Sequence, residues 1–533
     1  MDVAVIGSGF SGFSAAHALV AKGHRVTVLD VGETLDERRS AAVARLREAP
    51  PKVNDEGDDF RLISRNATVV PGQLPKKMFF GSEDIYAGDR PFAHTASLVS
   101  GRAPFPTFTK GGFSNIWGAA ALAVDACDMA DWPVSRAEME PYFRAAAQLM
   151  PLAGGAGTLS QAFPAYRDGL GDIDPGPQGQ ALLADLQRAE PRLQALGTLY
   201  GKARLAIHTT DDSPEALACN GCGQCFVGCV RGAIFATVPK LDDMARRGQI
   251  AYRTGVYVGG IEEQGGKVAI AAVDLRDNRA LALSFDAAFV AAGPINTTRL
   301  LLRSRRLYDQ VVSLRESQKF VVPMLRRRAA KSGIEHPAVT LASVFLETKV
   351  AGLSDHWVHV QVVPMNDMIL AASGLPGANQ PAGRAFYAWA MRRMMMGWCG
   401  MHSDHSSRVE LRLRQGTAAD PERLEIDVKV SDTARDAARA AAKDLFRKGL
   451  KFGTLFCYNV LKFSNPGSGT HCGASFPMTK TPTRAFDSDV LGRPFGWTRV
   501  FVVDSSVLPS IPGTTLAFSA MANAYRIASL APV

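Results

Sequence analysis

VAVIGSGFSG at residues 3–12, followed by VTVLD at 26–30, decides how this 533-residue chain begins. The first four residues form a short apolar run of the kind a buried parallel strand requires, and the glycines at 7, 9 and 12 predict a tight turn into a helix. A second strand then ends on a carboxylate. In that order the pieces make a Rossmann fingerprint. Gly7 permits the turn, Gly9 lets backbone approach a pyrophosphate, and Gly12 allows the helix to pack closely on the strand. Phe10 and Ser11 open that helix, whose first N–H groups lack intrahelical partners and suit an anion. Asp30 is placed to accept hydrogen bonds from an adenosine ribose. A bare glycine triplet would be weak evidence; strand, glycines, helix, strand and acid in register leave open chiefly which dinucleotide binds.

The rest of the chain sets limits. Its length predicts about two to four domains. With 47% hydrophobic and 21% charged residues the composition is that of a soluble globular protein, and no apolar run reaches membrane-spanning length. The strand at residue 3 leaves no room for a signal peptide, which argues for the cytoplasm unless a folded-protein exporter or a partner subunit supplies the address. The net charge of +9 is spread in short clusters such as RSRR at 303–306 and RRR at 326–328. Such clusters suit a solvated face, an anionic substrate or an acidic redox partner. No motif supports nucleic-acid binding. Eight cysteines in a chain expected in the cytoplasm point to thiols or metal ligands more than to disulfides.

Periodicity orders the remainder. Residues 33–51 read as an amphipathic, charge-rich excursion and 52–108 as a long surface segment rich in turn formers. KGGFSNIWG at 110–118 is a second glycine turn, leading into a small-residue helix or strand through Val124. Ser135 is the expected N-cap of a helix with Pro141 at its middle or at a break. Residues 154–179 read as a loop, and a helix over 180–190 is stopped by Pro191. Strands are expected over 250–258, 266–275 and 281–290, the last running through AAGP into a helix over 296–303. Further strands are expected at 338–346, 357–363, 408–413 and 424–430, with a helix at 432–448. The run Met394 to Met396 reads as core filling. The predicted class is mixed α/β (α+β): a discontinuous Rossmann-type domain (1–150, 206–305 and 461–533) with a cap segment (151–205) and an inserted antiparallel-sheet substrate domain (306–460).

Cys219, Cys222, Cys225 and Cys229 have the C-x2-C-x2-C-x3-C spacing of bacterial ferredoxins. Two features depart from that pattern: Val230 replaces the ferredoxin proline, and no second cysteine set exists for a second cluster. A single cluster needs Cys229 to fold back, a remote ligand among Cys127, Cys399, Cys457 and Cys472, or a three-iron form. Zinc is the weaker metal reading, because structural zinc sites usually pair two separated knuckles. A structural loop of thiols stands beside these readings.

Taken together the motifs resemble the glucose-methanol-choline family of flavoprotein oxidoreductases, in the branch similar to pyranose oxidase and membrane-complex sugar dehydrogenases. The resemblance rests on Gly7, Gly9, Gly12 and Asp30, on GGFSNIWG at 111–118, on AGPINTTRLLL at 292–302 and on FVVDSSVLPSIPG at 501–513. It covers most of the nucleotide domain and little of 306–460. What it implies is FAD, with contacts from Gly111, Gly112, Ser114 and Asn115, from Val258, Ala292 and Gly293, and from Asp504, Thr514 and Thr515. Relatives that attach flavin covalently use a histidine in the loop matching 113–117. This chain has none there, so FAD is expected to be non-covalent.

The resemblance also implies oxidation of a CH–OH group on an alcohol, with a sugar, polyol or glycoside as the candidate classes. It makes His471, in GTHCGAS at 469–475, the base that takes the hydroxyl proton. Imidazole suits that role because its ordinary pKa of about 6.5 leaves it neutral at working pH. The family's second catalytic position falls on Thr515, where His or Asn is usual. Threonine cannot act as a base near neutral pH, and this departure keeps two rivals in view: non-oxidative or reductive flavin chemistry, and an electron-relay subunit. His402 and His405 either line the substrate pocket or lie at the surface. In family relatives the cysteine loop sometimes holds an iron-sulfur cluster, which would pass electrons singly to an outside acceptor. The acceptor itself, protein, quinone or oxygen, is left unspecified.

Overall fold

The computed structural model describes residues 1–49, 57–64, 77, 79–82, 96–100, 106–155, 157–211, 213, 216–332, 340–366, 369–370, 380–417, 422–467 and 469–533. Strand Asp2–Ile6 lies at the centre of a five-stranded parallel sheet. Its neighbours are Arg25–Leu29 on one side and Ala287–Val290 on the other, with Ile250–Arg253 and Val500–Val502 at the edges. Val3, Ala4 and Val5 are wholly buried, as a parallel strand covered on both faces requires. The sheet thus draws strands from the start, middle and end of the chain.

Two antiparallel sheets and one mixed sheet, in which Ala96–Ser100 runs parallel to Arg423–Lys429, complete the mixed α/β architecture. Val256–Gln264, Lys267–Asp274 and Arg279–Phe285 form a meander beside the parallel sheet. Thr198–Lys202, Val344–Val350, Ser354–Pro364, Met394–Gly400, Lys319–Arg326 and Thr454–Phe456 lie in that spatial order in the largest sheet. Helix Asp432–Gly449 packs its alanine stripe on this sheet. The fourth sheet contains Cys472–Gly473, Val311–Glu316, Arg408–Arg414, Arg423–Lys429 and Ala96–Ser100. Its buried residues Leu314, Leu411 and Ile426 share one core with the parallel sheet.

Several local expectations change in three dimensions. The run expected over 250–258 divides at Thr254 and Gly255, giving Ile250–Arg253 to the parallel sheet and Val256–Gln264 to the meander. Gly255, at φ +75°, makes the corner. Likewise 281–290 divides at Asp286. Pro191 does not simply end a helix: Gly176–Arg188 is followed by a second helix, Glu190–Ala195, with this proline in its first turn. Ser135 forms a reciprocal capping box with Glu138, and Pro141 lies inside helix Arg136–Gln148 without breaking it. Residues 119–124 are neither helix nor ladder strand. Their amides are taken by Arg204 O, Thr515 Oγ1 and Ser519 Oγ. Of the surface segment expected over 52–108, helix Asp58–Ser64 and strand Ala96–Ser100 are described; most of the rest lies outside the described residues. Met395 is fully buried, with Met394 and Met396 packed against a neighbouring core.

Candidate functional site

The three glycines of the first turn do different work. A Cβ on Gly7 (φ +101°) would lie 2.4 Å from Ala291 O, and one on Gly12 would lie 2.1 Å from Gly7 O, so both positions are closed by packing. At Gly9 the nearest such neighbour is Gly111 O at 4.0 Å, leaving that backbone open to a ligand. Gly9 also caps helix Phe10–Ala21 without a side-chain acceptor, so the first N–H groups stay available.

Asp30 is tied into the second glycine turn. Gly111 N donates to Ser8 Oγ at 2.7 Å, Ser8 donates in turn to Asp30, and Tyr252 OH donates to the same carboxylate at 2.7 Å. Burial nevertheless pushes the Asp30 pKa up to about 6, against the pull of these donors. Gly111 and Gly112 take positive φ values of 80° and 52°. Ser114 Oγ donates to Gly111 O at 2.7 Å, and Asn115 Nδ2 donates to Lys110 O at 2.8 Å and Gly112 O at 3.0 Å. Ser114 and Asn115 therefore brace the turn, while Gly112 faces the cavity.

Asp504, fully enclosed, joins two helix starts. Its Oδ2 accepts from Gly293 N at 2.9 Å and Thr297 Oγ1 at 2.5 Å, and its Oδ1 accepts from Ser506 N at 2.9 Å. Burial raises its pKa despite those three donors. Helices Pro294–Ser304 and Ala517–Leu530 both begin at the cavity without a side-chain cap, and they add positive potential to that supplied by the first helix.

One cavity of about 750 Å³ runs from these groups to the largest sheet. Gly7, Gly9, Phe10, Ser11, Asp30, Gly112, Val258, Ala292, Gly293 and Asp504 line it, and so do His471 and Thr515. Gly12, Gly111, Ser114, Asn115 and Thr514 stand behind the wall. The volume falls in the range of cofactor pockets.

At its inner end the cavity is walled by Trp117, Lys319, Gln361, Trp398 and His471. His471 precedes the short strand Cys472–Gly473, and its carbonyl accepts from Ser317 N at 2.9 Å. Burial, reinforced by Lys319 and His359, holds its pKa well below the ordinary imidazole value. Its Nδ1 is buried and unpartnered, as is Trp398 Nε1. Burial likewise lowers the Lys319 pKa, to about 8. Thr515 is committed elsewhere: its Oγ1 accepts from Leu122 N at 2.8 Å and donates to Leu122 O at 2.9 Å. Beside it, Thr514 Oγ1 is buried without a partner.

Sequence reasoning missed five supporting residues. Glu316 accepts from Gly467 N at 2.7 Å and shapes the loop that presents His471; burial raises its pKa to about 7. Glu347, His359, Gly400 and Lys319 occupy one rung of the largest sheet. Gly400 is required there, because a Cβ would stand 2.3 Å from Gly513 O. Only strand register could have revealed these neighbours.

His402 and His405 lie outside the cavity wall. His402 is buried and its ring stacks on His356, with centroids 3.6 Å apart and planes 12° apart. His356, held between Asp128 and Asp404, has its pKa raised to about 9. His356, His402 and Asp404 form the one close group of three metal-type donors among the described residues. Ser403 meanwhile holds the tail, its N donating to Ile511 O at 2.9 Å and its Oγ accepting from Ile511 N at 3.1 Å.

The cysteine loop abuts the inner end. Phe226, Thr340 and Lys77 belong both to its surroundings and to the cavity wall. Thr340 donates to Gly223 O at 3.0 Å, and burial lowers the Lys77 pKa to about 8 against the opposing influence of Cys225 and Cys229. Burial raises the Cys219 pKa to about 12 and that of Cys222 to about 11, with neighbouring thiols adding to the shift. No three of the four sulfurs lie within 4.8 Å of one another among the described residues.

The fold and cavity define a Rossmann-type α/β protein with a large antiparallel sheet closing the cavity. A family model of NAD(P)-binding Rossmann-like domains matches residues 5–35. No curated protein matches the chain by sequence. Among solved structures the fold is similar to that of pyridoxine 4-oxidase from Mesorbium loti, with a TM-score of 0.59 and 15% identity over 99% of this chain and 98% of that one. It is also similar to an FAD-dependent oxidoreductase from Chaetomium thermophilum solved with a bound fragment, with a TM-score of 0.55 and 14% identity over the same shares of the two chains.

Proposed function

We propose that this chain is an FAD-dependent oxidoreductase of the glucose-methanol-choline type that oxidises a CH–OH group, with His471 as base. The observation that carries the reading is the continuous cavity from Asp30 to His471, with Gly9 open and three uncapped helix starts along it. The residues present fit the cofactor: Asp30 for the ribose, Gly9 and the first helix for the pyrophosphate, and Gly112, Gly293 and Asp504 further along. The names of the two structural neighbours, an oxidase of pyridoxine and an FAD-dependent oxidoreductase, support the same chemistry. In this reading 1–150, 206–305 and 461–533 supply the cofactor half, with 151–205 and 306–460 on the substrate side.

When bound, FAD supplies the two-electron acceptor for the hydride that the alcohol carbon loses. The remaining steps belong to side chains. His471, neutral because it is buried beside Lys319, accepts the hydroxyl proton as the carbonyl forms. Trp398 Nε1 is a donor in reserve for a substrate oxygen. Thr515, with its hydroxyl bonded twice to Leu122, positions the tail and leaves proton transfer to His471. The pyranose-oxidase-like branch is the version of this proposal that admits a sugar or polyol.

The cysteine loop enters as a second part of the proposal: an iron-sulfur cluster on Cys219, Cys222, Cys225 and Cys229 that carries electrons to an outside acceptor. Its support is the ferredoxin spacing and the nearness of Phe226 and Thr340 to the inner cavity. An anaerobic absorption spectrum with iron and acid-labile sulfide assays on the same sample tests both parts. Flavin bands over a broad absorption with stoichiometric iron are expected. Flavin without iron overturns the cluster alone, and absence of flavin overturns the central proposal.

A further inference from the structure

Helix Pro381–Met391 presents Phe386 and Trp389 one turn apart on its outer face, 61% and 59% exposed, with ring centroids 6.3 Å apart. Arg393 lies with its guanidinium 5.4 Å from the Trp389 ring centre. The backbone joins this helix to a second surface segment. Arg326 N donates to Arg393 O at 2.8 Å, Ala330 N donates to Arg392 O at 2.7 Å, and Arg327 N donates to Gly453 O at 2.8 Å. Segments 325–332 and 380–393 therefore lie side by side, and neither contains an Asp or Glu; Gly453 follows the helix that packs on the other side of the largest sheet.

The exposed charges of the first are all positive: Arg327, Arg328 and Lys331. Arg326 is buried and paired with Asp185, so that acid is already engaged inside the fold. Leu325, 41% exposed, adds apolar surface within the first segment.

We propose that this face docks on an anionic lipid surface. The chemistry is that of an interfacial helix: aromatic rings enter the headgroup boundary while arginine and lysine reach phosphate oxygens around them. Charge complementarity selects lipid over an acidic protein. A protein must bring a carboxylate to each cation in register, whereas a layer of anionic headgroups meets every cation whatever its position. No helix among the described residues is long and apolar enough to cross a membrane, so the contact is peripheral. The inference does not depend on the redox reading.

Co-sedimentation of the full chain with phosphatidylcholine vesicles, with and without phosphatidylglycerol, tests it. Pelleting is expected with the anionic vesicles only and is released by high salt. Each neutralised arginine in Arg327→Gln with Arg328→Gln lowers partitioning about fivefold, the equivalent of about 1 kcal/mol per basic residue. Phe386→Ser with Trp389→Ser weakens it independently; far-UV circular dichroism and Tm monitor folding. Failure to pellet with anionic vesicles overturns the proposal and leaves the face to an acidic protein. Equal pelleting with neutral lipid, or indifference to both double variants, also overturns it.

Discussion

Along the Rossmann side of the cavity the carboxylates are bonded to the protein itself: Asp30 to Ser8 and Tyr252, Asp504 to Gly293, Thr297 and Ser506. At the inner end, by contrast, His471 Nδ1 and Trp398 Nε1 are buried with no partner, and Lys319 is desolvated. One end is held rigid by its own hydrogen bonds, as suits a group that stays bound. The other carries polar atoms whose burial costs free energy until a ligand meets them, as suits a group that comes and goes.

The largest effect expected from this contrast is at the inner end. His471→Ala should lower flavin reduction by whichever alcohol reduces the wild type by about 10²–10⁴-fold, with flavin content unchanged. Stopped-flow bleaching under anaerobic conditions measures it, and unchanged rates would remove His471 as base. Asp504→Ala should act at the opposite end. It strands three buried donors, destabilises the fold by about 2–5 kcal/mol and releases flavin, read as Tm and as absorbance per chain.

Glu316 sharpens the comparison through pH. Its folded pKa of about 7 lies above the ordinary 4.5, so the folded state holds the proton more tightly. The stability it contributes is fully present below about pH 4.5 and is lost as pH rises through 7. Glu316→Gln should remove that part of the slope and be the more stable protein at pH 8 by up to about 3 kcal/mol. Denaturant midpoints across pH give the answer, and parallel profiles would refute it.

Thr515→Val should cost about 1–3 kcal/mol because Leu122 loses both partners, whereas Thr515→Ser keeps them. If valine instead abolished flavin reduction at full stability, proton transfer by Thr515 would be back in contention. The smallest effect is a shift. Lys319→Met should move the acid limb of kcat/KM upward toward the ordinary imidazole value, because a neighbouring cation now lowers the His471 pKa. Lys319→Arg should leave the limb low.

Legibility in the sequence followed the range of the interactions involved. The first turn was readable because strand, glycines, helix and acid are contiguous, and the N-cap at Ser135 because a cap acts on the turn that directly follows it; its reciprocal bond with Glu138 came from the structure. The corner at Gly255 was not, since the two halves of that run differ only in which sheet receives them. Residues 119–124 misled for a related reason: small apolar residues suit helix or strand, yet their amides bond to hydroxyls contributed by the far tail.

By itself the sequence determined the dinucleotide half, because glycine conformation, helix dipole and strand hydrophobicity are local properties that travel with the residues. It also placed His471 and Thr515 as candidates, through a resemblance. Tertiary structure alone decided that Thr515 spends its hydroxyl on Leu122, that Glu316 shapes the His471 loop, that Lys319 and His359 share a rung, and that the acid-free segments 325–332 and 380–393 lie side by side. Burial and strand register govern each of these, and both depend on residues hundreds of positions apart, so no local pattern encodes them.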